Sequence, residues 1–237
     1  MQTLIAIGIV LMSYVIGSIP FGLLVVKLKT GKDIRDVESG RTGGTNAMRA
    51  AGFWAGLLTA LLDIFKAAVS VWLAQAVSPN NDWLHVLAPI AAIVGHNHSI
   101  FLPEYDENGK FVRLRGGAGG APSVGGAIGL WPPSILIILP LGALTFFTLG
   151  IASITTMAVA LFVIIVFATR AALGLMPWID VLYGVAAEIL LIWALRPNIK
   201  KLLAGKERVV RLSLNGWIRK RREAARDKMV NKETWKE

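Results

Sequence analysis

Residues Glu38–Arg49 read ESGRTGGTNAMR, a polar stretch set between two long apolar runs. Flanking runs of that kind make it a loop pinned at a membrane surface, and the rest of the chain is organised around it. Gly40, Gly43 and Gly44 leave the backbone free to approach a ligand closely. Ser39, Thr42, Thr45 and Asn46 add short hydrogen-bonding groups, and Arg41 and Arg49 add fixed positive charge. Backbone N–H groups, hydroxyls and a guanidinium together suit phosphate oxygens. An ordinary basic, Gly-rich cytoplasmic loop has the same composition, so composition leaves both readings open.

Upstream, Leu4–Val26 forms a first apolar span interrupted by Gly17-Ser18-Ile19-Pro20. Pro20 is expected to kink it or to end its regular part. No small-residue cleavage site follows, so the segment is expected to be retained. Downstream, a second span from Trp54 to Val77 carries Asp63 and Lys66 at i, i+3. Charges at that depth are costly and are expected to face the bundle and pair, as a structural helix–helix salt bridge more simply than as a catalytic dyad. Leu84–Leu102 is the third span and holds Gly95-His96-Asn97-His98 near its end. That cluster suits substrate binding and helix-end capping equally.

Pro103–Arg115 reads PEYDENGKFVRLR, with Asn108-Gly109 as a turn signal, and is expected to form a short hairpin-like insertion. Gly116–Gly129 then contains seven glycines in fourteen residues. Small residues permit close helix packing, and Gly116–Gly120 also suits a phosphate held by backbone N–H groups. Trp131-Pro132-Pro133 reads as an interfacial turn. Ser134–Leu149, Ile151–Ala168 and Ile179–Leu195 complete the spans, the last with Glu188 inside it.

The bulk numbers agree. The chain has 237 residues, is 54% hydrophobic and carries a net charge of +10. An ordinary soluble domain is excluded. The chain has no cysteine, which removes disulfides, thiol chemistry and sulfur-bound metal, and its three histidines leave little for a metal site. Of 25 basic residues, 14 lie in Arg196–Glu237, ending in a basic segment, RKRREAARDK, suited to a surface helix on anionic lipid or a partly disordered tail. Such asymmetry marks the cytoplasmic side and attraction to anionic lipid, with no call for nucleic acid. The expected fold is an all-α integral membrane protein. It is a seven-transmembrane-helix bundle over residues 1–207, with short amphipathic or surface elements at the cytoplasmic face, followed by a basic tail at 208–237. With the C-terminus inside, the N-terminus lies outside. Ser39–Arg49, Gly116–Gly120, Gly150–Ser153 and Asn198 then share one cytoplasmic face, as one site requires.

Five local patterns, spread over most of residues 10–207, resemble the bacterial PlsY family of integral-membrane glycerol-3-phosphate acyltransferases. GSIPFG at Gly17–Gly22 is similar to the family's first-helix motif, and SGRTGGTNAMRAAG at Ser39–Gly52 to its SGNxGATNxxRxxG loop. LLDIFKA at Leu61–Ala67 resembles LLDxxKG. Gly95-His96 precedes a Gly-rich loop, as in the family, and NIKKLLAGKE at Asn198–Glu207 resembles NIxRLxxGxE. The resemblance implies attack of the sn-1 hydroxyl of glycerol 3-phosphate on an acyl phosphate, giving lysophosphatidic acid and phosphate in phospholipid synthesis at the inner membrane. It makes Ser39, Arg49, Ser153 and Asn198 the catalytic set, Ser39 and Arg49 by binding the substrate phosphate. Thr45, Asn46, His96, Gly116, Gly117 and Gly119 become substrate-binding residues, the glycines as an acyl-phosphate loop, and Glu207 a structural glutamate. No metal or other cofactor is implied. Acyl phosphate is already activated, so positioning and charge stabilisation suffice without a strong protein nucleophile.

Two departures stand out. The family's GGKG reads Gly116-Gly117-Ala118-Gly119 here, and its HRxNI reads Leu195-Arg196-Pro197-Asn198-Ile199. One phosphate-binding cation is worth about 1.5–3 kcal/mol of charge-assisted bonding, and Arg113 and Arg115 are the nearby residues that would replace it. The departures leave a second reading, a family member that binds phosphorylated lipid precursors or a partner without turnover. A small transporter is a third, disfavoured by the lack of an inverted repeat between the halves.

Overall fold

The computed structural model describes residues 1–210 and 212–222. Helix α1 (Gln2–Ser18) stops where Pro20 removes an N–H, and α2 (Phe21–Thr30) restarts the chain. Ile19 between them is extended, as residues before proline prefer. The polar loop holds a 3₁₀ turn (Ile34–Asp36) and the short helix α3 (Gly44–Ala51). Then come α4 (Phe53–Val77) and α5 (Asp82–Asn97). Strands β1 (Pro103–Tyr105) and β2 (Phe111–Leu114) pair antiparallel as the expected hairpin, the one departure from an all-α chain among the described residues. Helices α6 (Gly120–Leu130), α7 (Ile135–Leu149), α8 (Ala152–Ala172) and α9 (Ile179–Leu203) follow.

Four helical stretches, Gln2–Thr30, Phe53–Val77, Pro132–Leu149 and Ala152–Ala172, are long and apolar enough to cross a membrane. Leucines and isoleucines stand exposed along them, Leu4 at 73% and Leu136 at 76%, as a lipid-facing surface would present. The glycine-rich stretch, which a count of seven membrane helices needs as its fourth, is helical only in part. Its first four residues are loop, and the 11-residue α6 rises about 16 Å, short of the hydrocarbon core. Its glycines serve contact with α4, where a Cβ on Gly125 would stand 2.0 Å from the Ile64 carbonyl oxygen. The core joins α5, α6, α8 and α9 through Ile93, Val124, Val163, Phe167 and Tyr183, and the Tyr183 hydroxyl donates to the Ser123 carbonyl at 2.7 Å.

The last helix is longer than the sequence suggested. It passes through Pro197 to Leu203, placing Asn198 on a helix. Proline denies the Trp193 carbonyl its helical partner, and the Arg196 Nε donates to that carbonyl at 3.1 Å instead. Beyond Glu207 the chain folds back on the α7–α8 turn, with Val210 N–H on the Gly150 carbonyl at 2.7 Å and Asn215 Nδ2 on the Leu149 carbonyl at 3.1 Å. Residues 214–222 are helical. They include the start of the basic segment expected on anionic lipid, and the remainder of that segment lies outside the described residues.

Candidate active site

The polar loop is tied from within. The Asp33 side chain caps the 3₁₀ turn, accepting from Arg35 N–H at 2.8 Å, and the Arg35 hydrogen bond holds its carboxyl below the usual carboxylate range. The buried Asn46 Nδ2 donates to the carbonyls of Ile34, Val37 and Arg41 at 3.2, 2.9 and 2.9 Å. Asn46 therefore shapes the loop with its amide nitrogen.

A second loop is latched to the first. Thr42 N–H donates to the Gly116 carbonyl at 3.3 Å, and Gly117 N–H to the His96 carbonyl at 2.8 Å. Arg115 reaches the carbonyls of Arg35 and Gly40, each at 3.4 Å. At Gly117 the fit is tight, since a Cβ there would lie 1.9 Å from His96 Nε2. His96 is fixed in turn: its Nδ1 lies 3.0 Å from Lys66 Nζ and 3.5 Å from an Asp63 carboxylate oxygen.

Asp63 and Lys66 pair at 2.8 Å. The Asp63 oxygens accept no aligned hydrogen bond among the described residues, so the pair is held by charge. Lys66 Nζ also donates to the Ile19 carbonyl at 2.9 Å. The salt bridge expected between helices is instead a pair within α4, because the i, i+3 spacing already brings the two charges together. His96 and the Ile19 carbonyl carry the contact on to α5 and to the α1–α2 break.

Beside this cluster lies a cavity of about 500 Å³, within the range of small-molecule sites. Ser39, Arg41, Thr45, Asn46 and Arg49 line one side, and Ser153, Asn198 and Glu207 another. Ala118 and Gly119 contribute from the glycine loop, with Asp63 and His96 between. Phe53 and Leu57 of α4 and Phe146 and Phe147 of α7 give an apolar flank. Eight of the ten residues singled out from the sequence therefore border one cavity. Gly116 and Gly117 do not: they lie behind its wall, packed on His96 and Asn97.

Glu207 joins two of the eight, accepting from Asn198 Nδ2 at 2.9 Å and from the Ser153 hydroxyl at 3.5 Å. The polar residues lining the cavity include three outside the catalytic and substrate-binding sets expected from the sequence, Arg41, Thr155 and Thr156. Arg41 was visible as a guanidinium in a glycine loop, whereas the threonines read as ordinary helix residues. Burial lowers the Arg41 pKa from its ordinary value and the Glu207 carboxylate works against that fall, so the group stays charged at neutral pH. Arg113 and Arg115, the expected replacements for the missing lysine, pair with Glu104 instead and do not border the cavity. No group of three or more His, Asp or Glu side chains placed to hold a metal occurs among the described residues.

The profile of the family described as glycerol-3-phosphate acyltransferase matches residues 7–205. The chain belongs to that family. A glycerol-3-phosphate acyltransferase of Thermus thermophilus is 36% identical over 205 residues, covering 86% of this chain and 94% of the relative. One of Rubrobacter xylanophilus is 37% identical over 200 residues, covering 84% and 92%. The fold is similar to the crystal structure of PlsY, an integral membrane glycerol 3-phosphate acyltransferase, in its glycerol 3-phosphate form. The TM-score is 0.73 at 26% identity, with 86% of this chain and 95% of that one covered. This glycerol-3-phosphate acyltransferase family member is accordingly a multi-pass membrane protein, and every residue lining the cavity except Glu207 lies within the matched region.

Proposed function

We propose that this protein moves an acyl group from acyl phosphate to the sn-1 hydroxyl of glycerol 3-phosphate. The hydroxyl oxygen bonds to the acyl carbon, the acyl–phosphate C–O bond breaks, and the hydroxyl proton leaves with the phosphate. The products are lysophosphatidic acid and inorganic phosphate. The observation that carries this reading is the convergence of the Ser39–Arg49 loop, the glycine loop and the Ser153–Asn198–Glu207 group on one cavity with an apolar flank. Polar groups on one side and aromatic side chains on the other suit an acyl chain joined to a phosphate.

In this reading Ser39, Thr45 and Arg49 hold glycerol 3-phosphate. Ala118 and Gly119 of the glycine loop face the acyl phosphate, with Gly116 and Gly117 packed on His96 and Asn97 behind them to fix the loop and Asn46 fixing the loop opposite. Ser153 and Asn198, set by Glu207, face the reacting carbonyl. The rate gain comes from bringing two anions together and from donors aimed at charge developing on the carbonyl oxygen and leaving phosphate. Seven spans, an outside N-terminus, and a site and C-terminus on the cytoplasmic face of a bacterial inner membrane fit the charge asymmetry. The basic C-terminal segment fits contact with anionic lipid.

Ala118 and Leu195 both border the cavity, where the family resemblance places lysine and histidine. They favour a second reading, a relative that binds phosphorylated lipid precursors without turnover. Purified protein given labelled glycerol 3-phosphate with palmitoyl phosphate or palmitoyl-CoA separates the two. The proposal expects sn-1 lysophosphatidic acid from the phosphate donor alone. Turnover with the thioester alone refutes the donor, and none with either refutes catalysis.

A further inference from the structure

We propose that Arg41 grips the phosphate of the acyl donor in this chain, taking over the charge missing at Ala118. This rests on the acyl-transfer reading above. Two anionic substrates must share one cavity, and each needs a cation to offset repulsion. Arg41 and Arg49 are the cations lining it among the described residues. Both come from the polar loop, but they reach different helices: Arg49 is in the last turn of α3, beside α4, while Arg41 reaches α9, where its Nη2 donates to the Ala194 carbonyl. Leu195 follows directly, so the guanidinium lies beside the position that lacks histidine.

Arg41 has donors to spare. A guanidinium carries five N–H groups, and the Ala194 carbonyl is its one side-chain hydrogen-bond partner among the described residues. It makes no ion pair there either. Glu207, which shares the cavity lining with it, is already engaged by Asn198 and Ser153. A half-buried, unneutralised guanidinium facing a cavity, with its planar fork partly free, is built for bidentate contact with phosphate.

The sequence carries an independent sign. Arg41 stands at the asparagine of the SGNxGATN pattern, and Ala118 at the lysine of GGKG. Against those patterns this chain lacks a cation at Ala118 and carries one at Arg41, and both positions line the same cavity.

Steady-state kinetics on the purified full chain test this. Arg41→Asn is expected to raise the KM for palmitoyl phosphate at least tenfold, with a smaller change for glycerol 3-phosphate. Arg41→Asn combined with Ala118→Lys is expected to restore it. Arg41→Gln serves in the same pair of experiments if the asparagine variant does not fold. An unchanged KM overturns the proposal. So does a rise that Ala118→Lys does not reverse, which leaves Arg41 as a brace between the polar loop and α9.

Calorimetric binding of inorganic phosphate keeps the two proposals apart. A wild type without turnover removes the acyl-transfer reading alone. Phosphate binding lost with Arg41→Asn and regained with Ala118→Lys still upholds the anion site, and binding insensitive to Arg41 overturns it.

Discussion

Replacing Gly117 by alanine puts the latch between the two loops to a quantitative test. The new Cβ would stand 1.9 Å from His96 Nε2, whereas ordinary contact begins at 3.4 Å, so something must move by about 1.5 Å. If the imidazole moves, it leaves Lys66, 3.0 Å from its Nδ1, and a buried charged group loses a partner worth about 1.5–3 kcal/mol. If the loop moves, Gly117 N–H leaves the His96 carbonyl at 2.8 Å and the cavity wall at Ala118 and Gly119 shifts with it. A displacement of about 1 Å in a positioning element costs on the order of 100-fold in rate. Gly117→Ala should therefore lower acyl transfer roughly 100-fold and stability by about 1–3 kcal/mol. Activity is read with labelled glycerol 3-phosphate, and stability by thermal unfolding through tryptophan fluorescence in detergent. Gly8→Ala is the control, because nothing lies within 4 Å of its added Cβ. A Gly117→Ala protein with wild-type rate and stability would refute the reasoning.

Three further outcomes are expected. Lys66→Met leaves the 1%-exposed Asp63 without its cation and should cost about 3–5 kcal/mol in thermal unfolding, largely recovered by adding Asp63→Leu; an additive loss would contradict the pairing. Glu207→Ala should release Asn198 and Ser153 and cut turnover about tenfold with little change in either KM, while Glu207→Gln, which keeps the acceptor, should stay within a fewfold of wild type. Asp33 is held low by Arg35, so its contribution is fully present above the ordinary carboxylate pKa of about 3.9 and fades as pH falls through the depressed value. Asp33→Asn should thus lower stability at pH 7 by less than about 1 kcal/mol, and the gap to wild type should shrink as the pH falls below the ordinary carboxylate value; a constant gap would rule out the charge as its source.

Much of the fold could be read from hydropathy and a few punctuating residues. Pro20 ends α1, the Asn108-Gly109 turn carries the β1–β2 hairpin, and the long apolar runs became helices. These features depend on local geometry, which sequence records well. Pro197 misled because the compensation for its missing N–H comes from the Arg196 side chain. The glycine stretch left loop and packed helix undivided in sequence, since close approach to α4 and loop formation demand the same residue. In the site, the Ser39–Arg49 loop announced itself by composition and by family resemblance. The link from Asp63 and Lys66 to His96 did not, because it joins helices α4 and α5 and a carbonyl at the α1–α2 break. The inward bonding of Asn46 was equally hidden, since an amide that binds a ligand and one that binds its own loop look alike in sequence.

The measurement closest to the central claim is acyl transfer from palmitoyl phosphate to labelled glycerol 3-phosphate by the purified protein in lipidic phase, run beside Arg49→Ala. The account predicts lysophosphatidic acid from the wild type and none above background from the variant. It is contradicted if the wild type is silent while Ala118→Lys with Leu195→His forms product, for the natural cavity would then bind without turning over.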